Sequence, residues 1–225
     1  MTKILFVGNS FTYYNSMPEK IFAPIVGEWG YDAAVTSVTK GGWSLSRFAD
    51  PSDEYGKKLA ELLSSERFDA VILQEQSHTP ISDRAAFFSA VRELYGRISA
   101  TGAKVYLYAT WGYKAEHPRL SLYGSSTADM ESKLREAYSA IGGELGIPVL
   151  HVGAAMLYAY LKGARRLYMP DNYHPDVGGS LVAAMTIAAG IFGNDPRHTE
   201  YIPEGVTAED MLLYKEAAAI RGFRV

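Results

Sequence analysis

A doubly wound, mostly parallel α/β sheet is the fold class that this sequence predicts, and three observations predict it. Short apolar runs rich in β-branched or aromatic residues recur along the chain, each ending in a glycine or polar turn, as buried parallel strands do. Between them lie stretches whose apolar residues repeat at helical spacing, and strict alternation of the two implies right-handed crossovers with helices on both faces. No internal repeat, low-complexity segment or linker breaks the pattern. Residues 1–225 are therefore expected to form a single domain, with residues 193–225 a C-terminal extension that carries a helix.

Taken in order, Lys3 to Val7 forms the first strand and ends at Gly8-Asn9-Ser10-Phe11-Thr12. Ser16 or Asn15 caps the next helix, Pro18 sits in its first turn, and Ile21, Phe22, Ile25, Val26 and Trp29 line its buried face until Gly30. Ala33 to Val38 is the second strand, ending at Thr39-Lys40-Gly41-Gly42-Trp43-Ser44. A helix from Pro51 to about Ser65 leads to the third strand, Asp69 to Leu73, and to Gln74-Glu75-Gln76-Ser77-His78. Ser82-Asp83 starts a long helix with Phe87, Phe88, Val91, Leu94, Tyr95 and Ile98 on its buried side, and Lys104 to Ala109 is the fourth strand, running into Thr110-Trp111. Ser126-Thr127-Ala128-Asp129 resembles a capping box for a helix reaching Leu145. The fifth strand, Pro148 to Val152, precedes a helix around Ala154 to Lys162. A loop ending in Asp171-Asn172-Tyr173-His174-Pro175 follows, then a small-residue helix to Phe192 and a last helix from Thr207 to about Ile220.

Composition excludes several classes. Twenty-two basic against 25 acidic residues, scattered rather than clustered, leave a net charge of −3 and no electrostatic footprint for nucleic acid. With no cysteine there are no disulfides, thiolate metal sites or cysteine nucleophile. No apolar run approaches the roughly 18 residues of a membrane span, and no signal-peptide pattern opens the chain, so a cytoplasmic location is the default expectation. His117 and His151 lack metal-ligand spacing, and Asp171, His174 and Asp176 have no third ligand cluster to join, so neither a metal nor a cofactor is expected.

In a doubly wound sheet the strand ends bearing Ser10, Gly41-Gly42 and Gln74 to His78 converge on one edge. Serine is a weak nucleophile unless a base takes its proton, and the base needs an acid partner to fix its tautomer. Asp171 and His174 share a turn at a spacing that lets the carboxylate hold Nδ1 while Nε2 faces Ser10. The Ser10 N–H, a glycine N–H and a side-chain amide are then the candidates for an oxyanion hole. Trp43 and Trp111 follow strand ends and are candidates for the walls of a substrate pocket, although indoles fill cores as readily. Glu75 and His78 are weaker candidates for the same pocket.

These residues resemble the SGNH (GDSL-like) hydrolases over most of the chain. Gly8-Asn9-Ser10-Phe11-Thr12 is similar to the family's Gly-Asp-Ser-x-Ser block, Gly41-Gly42 to its second block, and Asp171-Asn172-Tyr173-His174-Pro175 to its closing Asp-x-x-His-Pro. Two departures stand out. Asn9 replaces the first-block aspartate, and Gln74-Glu75-Gln76 replaces Gly-x-Asn-Asp, resembling instead the Gln-Gly-Glu segment of sialate O-acetylesterase-like members. The resemblance implies a flavodoxin-like, three-layer α/β/α fold with a five-stranded sheet and a serine esterase without cofactor. It makes Ser10 the nucleophile, Asp171 and His174 its partners, and Ser10, Gly42 and Gln74 (or Gln76) the oxyanion hole. It also implies a small-molecule ester substrate, with an acetyl-sized group on a carbohydrate. A non-catalytic flavodoxin-like protein binding a small molecule or glycan is the competing expectation; it leaves Asp171 and His174 unexplained.

Overall fold

Five strands form one sheet in the order β2-β1-β3-β4-β5 in the computed structural model, which describes residues 1–220. They are β1 (Thr2–Gly8), β2 (Ala33–Thr39), β3 (Ala70–Leu73), β4 (Lys104–Tyr108) and β5 (Val149–Leu150). Every pairing is parallel, with Gly8 beside Thr39 and Val7 beside Leu73, so the mostly parallel expectation becomes wholly parallel. Because side chains alternate across a strand, each of the long apolar runs feeds two cores. Ile4, Phe6, Ile72, Tyr106 and Tyr108 point into one, while Leu5, Val7, Val71, Leu73, Val105 and Leu107 point into the other.

Helices cover both faces, giving three layers. One core takes α2 (Ala23–Glu28), α8 (Val152–Leu161), α9 (Val177–Phe192) and α10 (Ala208–Ala218). The opposite core takes α3 (Leu45–Ala49), α4 (Glu54–Ser65) and α6 (Arg84–Ser99), and α7 (Thr127–Leu145) contributes to both along the sheet's edge. A one-turn helix α1 (Ser10–Tyr13) follows β1, and another, α5 (Thr79–Ser82), follows β3. Asp53, Asp83, Ser126 and Thr207 accept a first-turn N–H and cap α4, α6, α7 and α10, where the sequence places helix starts.

The helix expected from Ser16 to Trp29 begins differently. Asn15 and Ser16 have φ of 56° and 50°, Ser16 precedes the helix without a capping bond from its side chain, and Met17–Phe22 winds as a π-helical turn before α2. The expected C-terminal extension, residues 193–225, is described as far as Ile220. Its helix α10 packs on α8 and α9, burying Met211 and Tyr214 completely. Among the described residues no helix is long and apolar enough to cross a membrane.

Candidate active site

The end of β1 is built by close approach. A side chain at Gly8 would lie 2.6 Å from both Gln74 Oε1 and Thr12 Oγ1, so the strand must finish on glycine to let the third strand's loop touch the first turn. Gln74 Oε1 accepts the Asn9 N–H and the Thr12 hydroxyl, each at 2.9 Å. Asn9 caps α1 by accepting the Phe11 N–H at 3.2 Å, while its Nδ2 donates 3.0 Å to the Trp43 carbonyl. One asparagine therefore fastens the serine turn to the glycine turn. Ser10 is the first residue of α1, where a helix leaves backbone N–H groups without an internal partner, and it is only 5% exposed.

His174 arrives from the loop before α9. Met169 N–H donates to the His174 carbonyl at 2.8 Å, Tyr168 and Pro175 form an antiparallel bridge, and Asn172 takes a left-handed φ of 58° to turn the chain. Asp171 Oδ1 accepts the N–H groups of Tyr173 (3.1 Å) and His174 (3.0 Å), and Oδ2 lies 2.7 Å from His174 Nδ1. Partial burial works against the ionised carboxyl, but the bonds from the His174 ring and the two amides outweigh it and lower the Asp171 pKa. An ionised carboxylate only accepts, so Nδ1 carries a proton, and in the neutral ring this leaves the lone pair of Nε2 facing Ser10 Oγ at 3.0 Å. Tyr14 stacks flat on the imidazole at 4.4 Å, and Tyr173 meets it edge-on at 4.1 Å.

The structure thus brings Ser10, Asp171 and His174 into one hydrogen-bonded chain, with the Gly41-Gly42 turn alongside. Gly42 has φ of +74°, a conformation that favours glycine, and Lys40 N–H anchors the turn on the Gly8 carbonyl at 3.1 Å. Other expectations need correction. Gln74 is fully buried, its Oε1 holding the serine turn and its Nε2 donating to the Glu75 carbonyl, so its amide is engaged inside the protein and shut off from a substrate. Gln76, the stated alternative, is half-buried. Its Oε1 accepts from His78 N–H and the Thr79 hydroxyl, and its Nε2 gives one bond to Ser77 Oγ at 3.2 Å, leaving a second N–H available.

The two indoles are corrected as well. Trp111 is 1% exposed, stacked on Phe11 at 4.3 Å, and its Nε1 donates 3.2 Å to the Tyr173 carbonyl. It braces the site from behind and touches no solvent. Trp43 donates its Nε1 to Asp53 Oδ1 at 3.0 Å and lies under the Arg47 guanidinium at 3.5 Å, so its side chain ties α3 to α4 and only its carbonyl reaches the serine turn.

Glu75 holds the neighbouring loops. Its Oε1 accepts the Leu45 N–H at 3.0 Å and the Gln76 N–H at 2.6 Å, whereas Oε2 is buried without a partner. Burial is the main cause that pushes its pKa up to about 7, against the two amide bonds. Residue patterns miss the aromatic surround of His174, namely Phe11, Tyr14 and Tyr173. Only the positions of Phe11 and Tyr14 one and four residues after Ser10, hence on its helical turn, signal them. Among the described residues, no group of three or more His, Cys, Asp or Glu gathers where it would hold a metal ion.

A parallel α/β/α sheet with a serine, a histidine and an aspartate in this arrangement defines a class of ester-cleaving hydrolases. No family model matches the chain, and no curated protein matches it. Solved structures do. A protein from Slackia heliotrinireducens described as an SGNH hydrolase is 30% identical, over 84% of this chain and 98% of that one, with a TM-score of 0.74. A DUF4886 family protein from Bacteroides uniformis superposes with a TM-score of 0.84 at 19% identity, over 97% of this chain and 93% of the other. The lipase/acylhydrolase from Enterococcus faecalis gives 0.64 at 17%, over 86% and 96%. The chain belongs to the SGNH hydrolases, and it is a hydrolase acting on ester bonds.

Proposed function

We propose that the protein is a serine esterase that removes an acetyl-sized acyl group from a carbohydrate alcohol through an acyl-enzyme on Ser10. The observation that carries this reading is the chain Ser10 Oγ to His174 Nε2 (3.0 Å) and His174 Nδ1 to Asp171 Oδ2 (2.7 Å). Ser10 Oγ bonds to the acyl carbon as its proton passes to Nε2. Asp171 holds the ring in the right tautomer and stabilises the imidazolium. The oxyanion faces the Ser10 N–H, the Gly42 N–H and the spare amide proton of Gln76, and donors of this kind contribute roughly 10²–10³ in rate each. Collapse expels the alcohol, which takes the proton from Nε2. Water then adds to the acyl carbon, gives its proton to Nε2, and the carboxylic acid leaves as Ser10 regains its hydrogen.

The small acyl group is favoured by the 5% exposure of Ser10, which leaves little room at the nucleophile. The carbohydrate is favoured by the tyrosine rings around the site, whose faces suit sugar rings and whose hydroxyls suit theirs. A non-catalytic binding protein would need no relay from carboxylate to hydroxyl.

The test is incubation with a fluorophosphonate followed by intact-mass analysis, beside p-nitrophenyl acetate hydrolysis. Wild type gains one adduct, on Ser10. Ser10→Ala gains none and loses at least about 10³-fold in kcat/KM. A wild type that stays unlabelled, or labels at another residue, defeats the assignment.

A further inference from the structure

Tyr13 stands one helical turn beyond the nucleophile and is followed by a strained, pinned segment that nothing in the reaction itself requires. Ser10 and Tyr13 stand three apart on the single turn of α1, so their side chains share a face. The Tyr13 ring lies 5.7 Å from Tyr14 at 26°, and Tyr14 lies 4.4 Å from His174 at 6°, an outward stack of three rings. At its other end the Tyr13 hydroxyl fills the space that a side chain on Gly41 would take, 2.9 Å from where that Cβ would lie. Gly41, which the oxyanion hole does not use, is thus the seat of the Tyr13 hydroxyl. The ring spans from the histidine side of the site to the glycine turn.

The chain leaves Tyr14 through two successive left-handed, non-glycine residues, Asn15 at φ 56° and Ser16 at φ 50°, conformations that L side chains avoid. They are held because Asn15 Nδ2 donates to the Pro175 carbonyl (3.1 Å) and to Ser180 Oγ (2.8 Å), riveting the tyrosine segment to the loop that carries His174. Strain maintained beside a site by such ties is a positioning device.

We infer that Tyr13 is the specificity-determining residue that limits the acyl group to acetyl size, an inference that rests on the esterase reading above. The leaving alcohol must lie at His174 Nε2 to receive its proton, and the oxyanion must face the Ser10 and Gly42 N–H groups. The substituent left over on the acyl carbon points away from both, out of the turn on the face that Ser10 and Tyr13 share. That is where Tyr13 stands. A methyl group fits beside the ring, while a longer chain has to displace it from its stack and from Gly41.

The experiment compares kcat/KM for p-nitrophenyl acetate, butyrate and hexanoate, whose leaving group is constant, with fluorophosphonate labelling of Ser10 run on every variant. Wild type is expected to lose about tenfold or more from acetate to butyrate, within the range that methylene-sized differences in a pocket produce. Tyr13→Ala is expected to shrink that ratio at least about tenfold, and Tyr13→Phe, which keeps the ring, to retain it. If Tyr13→Ala does not fold, Tyr13→Leu is read by the same ratio. A labelled wild type with a flat chain-length profile, or a Tyr13→Ala as selective as wild type, overturns the inference and leaves the esterase reading standing. A folded wild type that neither labels nor hydrolyses takes both down.

Discussion

Position 9 shows why a departure from the family pattern is a local solution. Asn9 is 2% exposed and uses both ends of its amide, accepting from Phe11 N–H and donating to the Trp43 carbonyl. An aspartate keeps the first bond and loses the second, setting a buried carboxylate against a carbonyl oxygen. Asn9→Asp is therefore expected to cost about 2–3 kcal/mol, the penalty for burying an unpaired charged acceptor. It should also slow Ser10 labelling, because the Gly41-Gly42 turn loses one of its two ties to the serine strand and turn. Urea unfolding checks it; a variant as stable as wild type would show that the Trp43 contact contributes nothing. At this scale the polar residues were legible in the sequence where a role needs a fixed residue type at a fixed spacing, as at Ser10, Asp171 and His174. The choice between Gln74 and Gln76 was not legible. Both follow β3, and which one turns inward depends on the packing of Gln74 against Gly8 and Thr12. Trp43 and Trp111 misled for a related reason: an indole after a strand reads the same whether it faces a ligand or Phe11.

Helices and strands with a clear period were legible, and short irregular ones were not. The runs Lys3–Val7 and Lys104–Ala109 lie within one or two residues of β1 and β4. In contrast α3 and α5, at five and four residues, are too short to display a helical repeat, and the π-turn of Met17–Phe22 keeps the apolar spacing of an ordinary helix. The element whose purpose was open from sequence is α10. Tyr214 on it is fully buried, donates its hydroxyl to the Arg165 carbonyl at 2.6 Å, and occupies the space a side chain on Gly178 of α9 would need. Next to that contact, Arg166 clasps Asp176 in two bonds and the Gly205 carbonyl in a third, so the extension grips both ends of the loop that delivers His174. Tyr214→Ala should cost about 3–5 kcal/mol in urea unfolding, as deletion of a buried aromatic does. It should also slow fluorophosphonate labelling of the protein that remains folded. A loss below about 1 kcal/mol would mean that α10 lies on the molecule without bracing it.

For the molecule as a whole, alternation of strands and helices made the sheet legible, and the sheet order explains the site. β1 sits between β2 and β3, the place where the winding reverses, and α/β sheets open a crevice there at the carboxyl ends of the strands. Ser10, Gly42 and Gln76 come from those three ends, while His174 comes from a loop 164 residues further along that the C-terminal layer positions. Glu75 joins two of the three ends, the α3 entry after β2 and the loop after β3, and it does so as a buried acid. Its pKa lies near 7 in the fold, chiefly through burial, against 4.5 without that environment. Between those values the folded protein binds a proton that the unfolded chain releases, so stability falls as pH rises through about 4.5 to 7 and the whole penalty is felt above 7. By linkage that penalty is on the order of 3 kcal/mol. His78, His117 and His151, whose pKa values burial lowers, act in the opposite direction, losing stability as pH falls below their ordinary range. Replacing the acid alone separates the two. Glu75→Gln keeps the carbonyl that accepts from Leu45 and Gln76 and removes the titration, while the histidines remain in both proteins and cancel. Relative to wild type, the variant should gain stability between pH 5 and pH 8, by up to roughly 3 kcal/mol. Urea midpoints across that range measure it. A difference between the two proteins that does not change with pH would mean that Glu75 stays ionised throughout, and that its two amide bonds outweigh its burial.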